Sequence, residues 1–174
     1  MSGSQSWCTP PEVVELVHAV IGVPDLDPFS NAGSKTGAAV QWYGPDAGSL
    51  CGFSSSWREA AGEGGAVFFN PPWSRAGDAI RKAAREAKAD PTMQMIGLVP
   101  SSINSRHWNL IEDAPCRAYP HRRVSFVDPE TSEVVKGNPR DIALVYWGPR
   151  PYRFADVLHR SRFARVHFGI VGAA

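Results

Sequence analysis

The residues best suited to chemistry form a short turn, Asn70-Pro71-Pro72-Trp73, which closes the apolar run Ala66–Phe69. The Asn70 side-chain oxygen and the carbonyl of the first proline can each accept one hydrogen of an amine. Two such acceptors help an amine on an aromatic ring, whose lone pair is delocalised, to become tetrahedral and nucleophilic. The second proline stiffens the turn, and Trp73 offers a surface for a flipped-out base. The turn indicates an enzyme acting on a ring-conjugated amine, with a purely structural turn before a helix as the alternative.

The elements around this turn predict an α/β sheet whose strand ends hold the functional residues. Apolar runs predict buried strands over 65–70 and 93–100, and alanines at helical spacing predict a helix over 74–89. An earlier helix is expected to begin with Thr9 as N-cap and Glu12 in a capping box, and to end at Gly22. Further strands are predicted over 23–29, 116–119, 124–128, 142–147 and 166–171, and a short helix over 105–113. Within the Gly-, Ser- and Ala-rich stretch 30–65, only 39–43 and 56–61 indicate regular structure.

Length and composition favour one domain over residues 1–174, with 43% hydrophobic and 20% charged residues. We expect residues 1–6 to be flexible and residues 149–174 to form a basic extension packed on the domain. The three cysteines are widely spaced and include no Cys-x-x-Cys pair, so neither a disulfide framework nor a metal site is expected. No signal peptide or long apolar segment is evident. The sequence therefore predicts a soluble cytoplasmic protein.

The net charge of +1 hides an asymmetry along the chain. Residues 101–174 contain 11 Lys and Arg against 7 Asp and Glu, and five of these arginines follow residue 149 with aromatic residues between them. Arginine-rich segments of this kind suit contacts with phosphate groups. A solvated basic face is an equally good interpretation of the charges alone.

Several segments together resemble the phage-type, Dam-like DNA N6-adenine methyltransferases. The resemblance runs from Trp7 to Trp147 and depends on the order and spacing of its pieces, of which the Asn-Pro-Pro-Trp turn is the specific one. The other pieces are Trp7-x-Thr9-Pro10, Asp25-Leu26-Asp27-Pro28, Tyr43 with Leu50 and Trp57, Leu98-Val99-Pro100, and a strand at 123–126 paired with 142–147. The resemblance implies a Rossmann-like S-adenosylmethionine-dependent methyltransferase fold, α/β, with a mixed sheet and a C-terminal antiparallel strand pair.

The resemblance also implies a cofactor site for S-adenosylmethionine. Thr9 and Pro10 would lie near its methionine end, and Asp27, followed by Pro28, would face its ammonium or sulfonium group. Asn31 stands where many methyltransferases have the first glycine of a cofactor loop, and Asp46 is a candidate for the ribose hydroxyls. Helix capping by Thr9 and a turn-stabilising role of Asp27 remain the structural alternatives.

DNA is the partner that the resemblance implies, with neither a membrane nor a metal involved. Ser101, Asn104 and Arg106 follow the strand at 93–100 and would line the mouth of the same site. The residues assigned to the phosphate backbone are Arg122, Arg123, Arg160 and Arg162. The sequence leaves open whether the protein acts as a monomer or a homo-oligomer. A phage-encoded protein would work in the host cytoplasm.

Other functions remain open on these residues. N4 of cytosine is also a ring-conjugated amine, and related turns methylate RNA amines or protein glutamine. Because Asn31 replaces a glycine in the cofactor loop, a catalytically inactive DNA-binding or structural relative is a further alternative. Binding of S-adenosylmethionine separates this last class from the enzymes.

Overall fold

Seven strands form one mixed sheet with helices on both faces in the computed structural model, which describes residues 7–43, 51–101, 108–135 and 141–169. The helices are α1 (Pro11–Ile21), α2 (Trp57–Ala61), α3 (Ala76–Ala89), α4 (Trp108–Glu112) and α5 (Pro151–Arg160). The strands are β1 (Leu26–Ser30), β2 (Val40–Tyr43), β3 (Ala66–Phe69), β4 (Gln94–Pro100), β5 (Cys116–Pro120), β6 (Ile142–Trp147) and β7 (Ala164–Phe168). A 3-10 turn, Trp73–Arg75, leads into α3.

The strand order is β2-β1-β3-β4-β6-β5-β7. Strands β1 to β4 run parallel, whereas β6 is antiparallel to both β4 and β5, and β7 is antiparallel to β5. The ends of β1, β3, β4 and β5 and the beginnings of β6 and β7 therefore lie along one edge, which we call the carboxyl edge. The carboxyl edge is where an α/β sheet presents its ligand-binding loops.

The sheet is buried on both faces, which explains why its central strands are almost continuously apolar. One face packs against α1 and α5, with Phe68 and Leu144 pointing into that core. The other face packs against α2 and α3, with Phe69 and Val145 pointing the opposite way. Alternate residues of each strand thus fill two separate cores, and α3 places alanines such as Ala83 against the sheet, where short side chains permit close packing.

Gly97 in the centre of β4 makes room for the last residue of β3. Phe69 and Gly97 are paired across the two strands, and a Cβ added at Gly97 would collide with the Phe69 ring. The ring is completely buried between Trp57 and Trp147, at centroid distances of 5.1 and 5.9 Å. Since Asn70 follows Phe69 directly, this packing fixes the point from which the Asn-Pro-Pro-Trp turn departs.

The predicted pairing of 124–128 with 142–147 is wrong. Strand β6 lies between β4 and β5, so both of its edges are already occupied. Residues 124–128 instead form an extended segment in which Val127 makes isolated bridges to Cys8 and Val134. The apolar alternation that suggested a strand is explained by burial, because Val124 and Phe126 are each only 1% exposed.

The predicted cap of the first helix is also wrong. Pro10 occupies the N-cap of α1 and its carbonyl accepts from the amides of Val13 and Val14, without a side-chain cap. The Thr9 hydroxyl lies against Asn70 instead, and the Glu12 carboxylate pairs with Arg122. Thr9 and Glu12 fit a capping-box pattern in the sequence, but each makes a long-range contact instead of capping the helix.

Within the basic segment after residue 149, the sequence prediction missed a helix. Helix α5 begins with Pro151 as a first-turn proline and packs Phe154 and Leu158 against the sheet. Its polar side carries the Asp156–Arg160 ion pair one turn apart. Strand β7 follows and pairs with β5, so the predicted strand at 166–171 begins two residues earlier than expected.

Candidate active site

The carboxyl edge contains a topological switch point between β1 and β3. From β1 the chain proceeds to β2 on one side, whereas β3 and β4 follow on the other side. Loops that leave neighbouring strands in opposite directions open a crevice at such a point. Asn31 follows β1, Asn70 follows β3 and Ser101 follows β4, so the structure brings three of the predicted site residues to this edge.

The orientation of the Asn70 side chain is fixed by the segment before α1. Its Nδ2 donates to the Trp7 carbonyl at 3.5 Å and to the Thr9 hydroxyl at 3.3 Å. A carbonyl can only accept a hydrogen bond, so the group facing Trp7 must be the amide NH₂. The amide oxygen is thereby turned the other way, and no residue in the described ranges donates to it.

The rest of the turn is held by proline and aromatic contacts. Pro71 is buried and Pro72 is half-buried. The half-buried Trp73 ring lies 5.7 Å from the Trp7 ring and 5.7 Å from the Phe126 ring, edge-on to both. Edge-to-face contacts of this kind are favourable arrangements of aromatic rings. The turn is therefore rigid at both ends, through Asn70 and through Trp73.

Asp27 in β1 supplies a buried carboxylate beneath the switch point. It is 3% exposed and accepts hydrogen bonds from the hydroxyls of Thr36 at 3.0 Å and Ser34 at 3.3 Å and from the Phe29 amide at 3.3 Å. Burial raises the pKa of Asp27 to about 6, against the lowering effect of these hydrogen bonds. No Lys or Arg of the described chain pairs with it. The site thus contains a buried carboxylate whose ionised form a bound positive charge would stabilise.

Asn31 shapes the loop that follows β1. Its side-chain oxygen accepts from the Gly33 amide at 3.0 Å and from the Cys8 thiol at 3.2 Å. The backbone of Asn31 is not left-handed, so its amide rather than its backbone freedom turns the loop. A Cβ at Gly33 would lie 2.9 Å from atoms of Cys8 and Pro129, which shows that the remaining glycine is required by protein packing.

Pro28 and Pro10, two further residues predicted to bind the cofactor, are both buried. The Pro28 carbonyl lies against Gly52, where a Cβ would collide with it. Pro10 is the N-cap of α1, and Thr9 contacts Asn70 as described above. The structure therefore ties the segment before α1 to both strand ends at the switch point, to Asn31 through Cys8 and to Asn70 through Thr9.

A basic groove extends along the carboxyl edge away from this point. A cavity of about 350 Å³ is lined by Ser101, Arg122 and Arg123, together with His121 and Asp141. His121 and Arg122 also line a neighbouring cavity of about 480 Å³. That second cavity contains Arg162 together with the carboxylates Glu12 and Glu15. The groove is therefore cationic at its centre and has an acidic border on α1.

Three of the predicted phosphate-binding residues, Arg122, Arg123 and Arg162, line this groove, whereas Arg160 lines neither cavity. Arg122 is exposed and pairs with Glu12 at 2.8 Å. Arg162 lies in the turn after α5 with a left-handed φ of 54°, and Arg160 ends α5 and pairs with Asp156 at 2.8 Å. Because α5 begins where β6 ends, Arg150 and Arg153 lie at the opposite edge of the sheet. The basic tail is consequently split between two ends of the molecule.

Three predicted site residues, Asp46, Asn104 and Arg106, lie outside the described residues. The sequence prediction missed the contributions of Cys8, Ser34 and Thr36. None of these three carries a local pattern, because each contact depends on a loop returning to a distant strand end. In the described ranges no three His, Cys, Asp or Glu side chains are grouped to hold a metal ion. No described helix combines the length and apolarity that a bilayer crossing requires.

The comparison with family models agrees with the resemblance found in the sequence. A model described as DNA N-6-adenine-methyltransferase (Dam) matches residues 2–166. No curated protein matches the chain. The matched range includes the Asn70–Trp73 turn, both loops of the switch point and the basic groove. A match over nearly all of the chain shows that the protein belongs to the DNA N-6-adenine-methyltransferase (Dam) family.

Proposed function

We propose that this protein transfers a methyl group from S-adenosylmethionine to N6 of adenine in DNA, within a Rossmann-like fold. The observation that carries the proposal is the orientation of Asn70 at the switch point. Its NH₂ is bound by Trp7 and Thr9, so its oxygen is left to accept a hydrogen from a substrate amine. Family membership supplies the class of reaction, and this geometry supplies the group that prepares the nucleophile.

Methylation of a ring amine requires the nitrogen lone pair to leave conjugation with the ring. The Asn70 oxygen and the Pro71 carbonyl accept the two amine hydrogens and favour a tetrahedral nitrogen. These acceptors belong to a turn held by buried packing, so they need little reorganisation during the reaction. Trp73 provides the face on which the extruded base stacks. The chain thus positions the nucleophile, which is the main requirement of an in-line displacement.

The residues beneath the switch point fit a cationic cofactor. S-adenosylmethionine, when bound, supplies an electrophilic methyl group on a positively charged sulfur. Asp27 contributes the buried carboxylate that lacks a basic partner among the described residues. Asn31 holds the loop after β1 in shape through Gly33 and Cys8. We therefore propose that the Asp27 carboxylate faces the positive charge of the cofactor. The Asn31 loop would form part of the pocket wall, and Asp46 would bind the ribose hydroxyls.

DNA is assigned to the basic groove beside the turn. Ser101 and Arg123 line the nearer cavity, and Arg122 and Arg162 line the farther one. Cations that bind successive phosphates fix the register of a duplex without reading its sequence. The groove begins at Ser101, after the strand next to β3, and so lies beside the Asn70–Trp73 turn.

Substitution of Asn70 by alanine tests this proposal directly. Loss of one preorganised acceptor is expected to reduce methyl transfer to adenine-containing duplex DNA by on the order of hundredfold or more. Binding of S-adenosylmethionine, measured by calorimetry, should change little because Asn70 acts on the amine. An Asn70→Ala variant that keeps most of its activity would contradict the assignment of the turn.

The identity of the methylated base separates the remaining candidates. Digestion of the product DNA and mass spectrometry of its nucleosides should yield N6-methyladenine. Recovery of N4-methylcytosine would move the activity to the other ring amine. Calorimetric titration that shows no S-adenosylmethionine binding would instead identify an inactive relative.

A further inference from the structure

Thr9 lies in a segment that precedes all secondary structure yet reaches the centre of the candidate site. Its side chain is only 6% exposed, and its hydroxyl is 3.3 Å from Nδ2 of Asn70, 61 residues later in the sequence. It does not cap α1, because Pro10 holds that position and no side chain caps the helix. The hydroxyl is thus committed to Asn70.

Two groups restrain the Asn70 side chain: the Trp7 carbonyl, which can only accept and so excludes the flipped amide, and the Thr9 hydroxyl, which adds the shorter hydrogen bond and limits rotation of the side chain. The oxygen and the NH₂ of an amide have nearly the same shape, and the terminal torsion of Asn is soft. If the amide turned over, its NH₂ would face the substrate amine, and two donors would oppose each other. The Trp7 carbonyl alone makes a long contact of 3.5 Å, so the Thr9 hydroxyl is the nearer of the two groups that receive the NH₂.

We propose that Thr9 is a positioning residue for methyl transfer, which acts by holding the Asn70 oxygen towards the substrate amine. The proposal rests on the function proposed above and adds a role for the segment before α1. It differs from the role that the resemblance gives to Thr9, which is contact with the methionine end of the cofactor. A positioning role affects turnover through Asn70, whereas a cofactor contact affects binding of the cofactor.

The test compares Thr9→Val, which has the same shape without the hydroxyl, with Thr9→Ser, which retains the hydroxyl. We expect Thr9→Val to lower kcat by roughly tenfold, as for loss of one hydrogen bond, with a cofactor Kd within about twofold of the wild type. Thr9→Ser should recover most of the loss. In an Asn70→Ala background, Thr9→Val should produce no further decrease, because residues that act as one unit are not additive.

Thr92→Val serves as the matched control. The Thr92 hydroxyl is likewise hydrogen-bonded to a side chain, here as the donor to Asp90, but Thr92 lies before β4 at the edge opposite Asn70. Thermal melting of each variant reports the structural cost, and Thr92→Val should keep the wild-type kcat. If Thr9→Val does not fold, Thr9→Ala with Thr9→Ser provides the same comparison with a smaller side chain.

The outcomes distinguish this inference from the proposed function. Weaker cofactor binding with unchanged kcat at saturation would overturn the positioning role and assign Thr9 to the cofactor. Wild-type kcat in Thr9→Val, with Asn70→Ala inactive, would overturn the positioning role alone. Full activity of Asn70→Ala would overturn the proposed function, whatever Thr9→Val does.

Discussion

Asp27 is the residue whose burial and charge conflict most clearly. Its carboxyl is almost fully buried, and the hydrogen bonds from Phe29, Ser34 and Thr36 come from neutral groups. A pKa of about 6 in the folded state, against 3.8 normally, means that the folded protein holds the proton more tightly than the unfolded chain. Between these two values the free energy of unfolding therefore falls as pH rises, and above about 6 the whole penalty is present. The shift corresponds to about 3 kcal/mol.

This conflict leads to a prediction for Asp27→Asn. Above pH 6 the variant should be more stable to unfolding than the wild type, because it removes the charge and keeps the shape. It should also bind S-adenosylmethionine more weakly, with a smaller loss for S-adenosylhomocysteine, which lacks the sulfonium charge. Denaturant unfolding at pH 5 and 7.5 and calorimetry with both ligands measure the two effects.

Two outcomes of that experiment would assign Asp27 differently. Equal losses for the two ligands would place the carboxylate near the portion that they share. Unchanged binding of both, with altered stability, would make Asp27 a residue that only stabilises the 31–36 loop. In the wild type, cofactor affinity should increase as pH rises through about 6, since only the ionised carboxylate attracts a cation.

At the level of elements, β4 determines the position of β3. Gly97 leaves the space that the Phe69 ring fills, and Asn70 follows that ring in the chain. Through Phe69, the contact connects Gly97 to the position of the Asn70 side-chain amide. A change in this contact should therefore affect both stability and turnover.

Gly97→Ala is expected to push Phe69 from its site and to destabilise the fold by about 1–3 kcal/mol, the usual cost of overpacking. It should also lower kcat, because the turn begins one residue beyond the displaced ring. Chemical denaturation and methylation kinetics measure these effects. Ala83→Gly in α3 is a destabilising control whose residue packs away from the turn. Gly97→Ala with full activity and reduced stability would separate the β3–β4 packing from catalysis.

The sequence predicted those elements whose evidence is local. Strands β3 and β4 and helix α3 were predicted to within about two residues, because apolar runs and helical spacing determine them. The predicted strand pairing of 124–128 was wrong because burial of alternate residues, Val124 and Phe126, in the core beside α1 and α5 produces the same alternation as a strand. Helix α5 was missed because its arginines obscured the spacing of Phe154 and Leu158.

The same distinction applies to the site. The sequence placed Asn70 and Trp73 correctly at a strand end, since the turn itself carries the signal. It offered no indication that Cys8 meets Asn31 or that Thr36 meets Asp27. Those contacts depend on which strands become neighbours, and residues far apart in the sequence provide no periodic pattern from which to infer it.

At the level of the whole molecule, the sheet divides the C-terminal arginines into two groups. Arg160 and Arg162 lie at the carboxyl edge with the candidate site, whereas Arg150 and Arg153 lie at the opposite edge. The net charge along the chain does not reveal this separation. The first group lies at the same edge of the sheet as the Asn70 turn, which makes it the better candidate for contacts with DNA bound there.

The two groups provide a prediction with a control of equal charge. Replacing both Arg160 and Arg162 by glutamine should flatten the plot of log affinity for duplex DNA against log salt by about 0.9 per lost contact. Binding should weaken to the same extent for different DNA sequences, because phosphate contacts carry no sequence information. The Arg150→Gln, Arg153→Gln double variant should leave the slope unchanged. Fluorescence anisotropy at several salt concentrations measures all three proteins.

Equal slopes for the two double variants would show that the protein responds to net charge alone. An unchanged slope in the first variant would instead move the DNA contacts to Arg122 and Arg123 in the nearer cavity. Neither outcome alters the assignment of the Asn70 turn, which is tested by methyl transfer.

The segment before α1 also sets the order in which a growing chain can complete its site. Trp7, Cys8 and Thr9 are synthesised before the residues they contact, Asn31, Asn70 and Val127, which are made progressively later. On a ribosome, this segment acquires its last partner only once Val127 has been made. The contacts of Trp7 and Thr9 that orient the Asn70 amide likewise form only after β3 has been made. Catalytic competence therefore follows the docking of this segment between loops that are made after it.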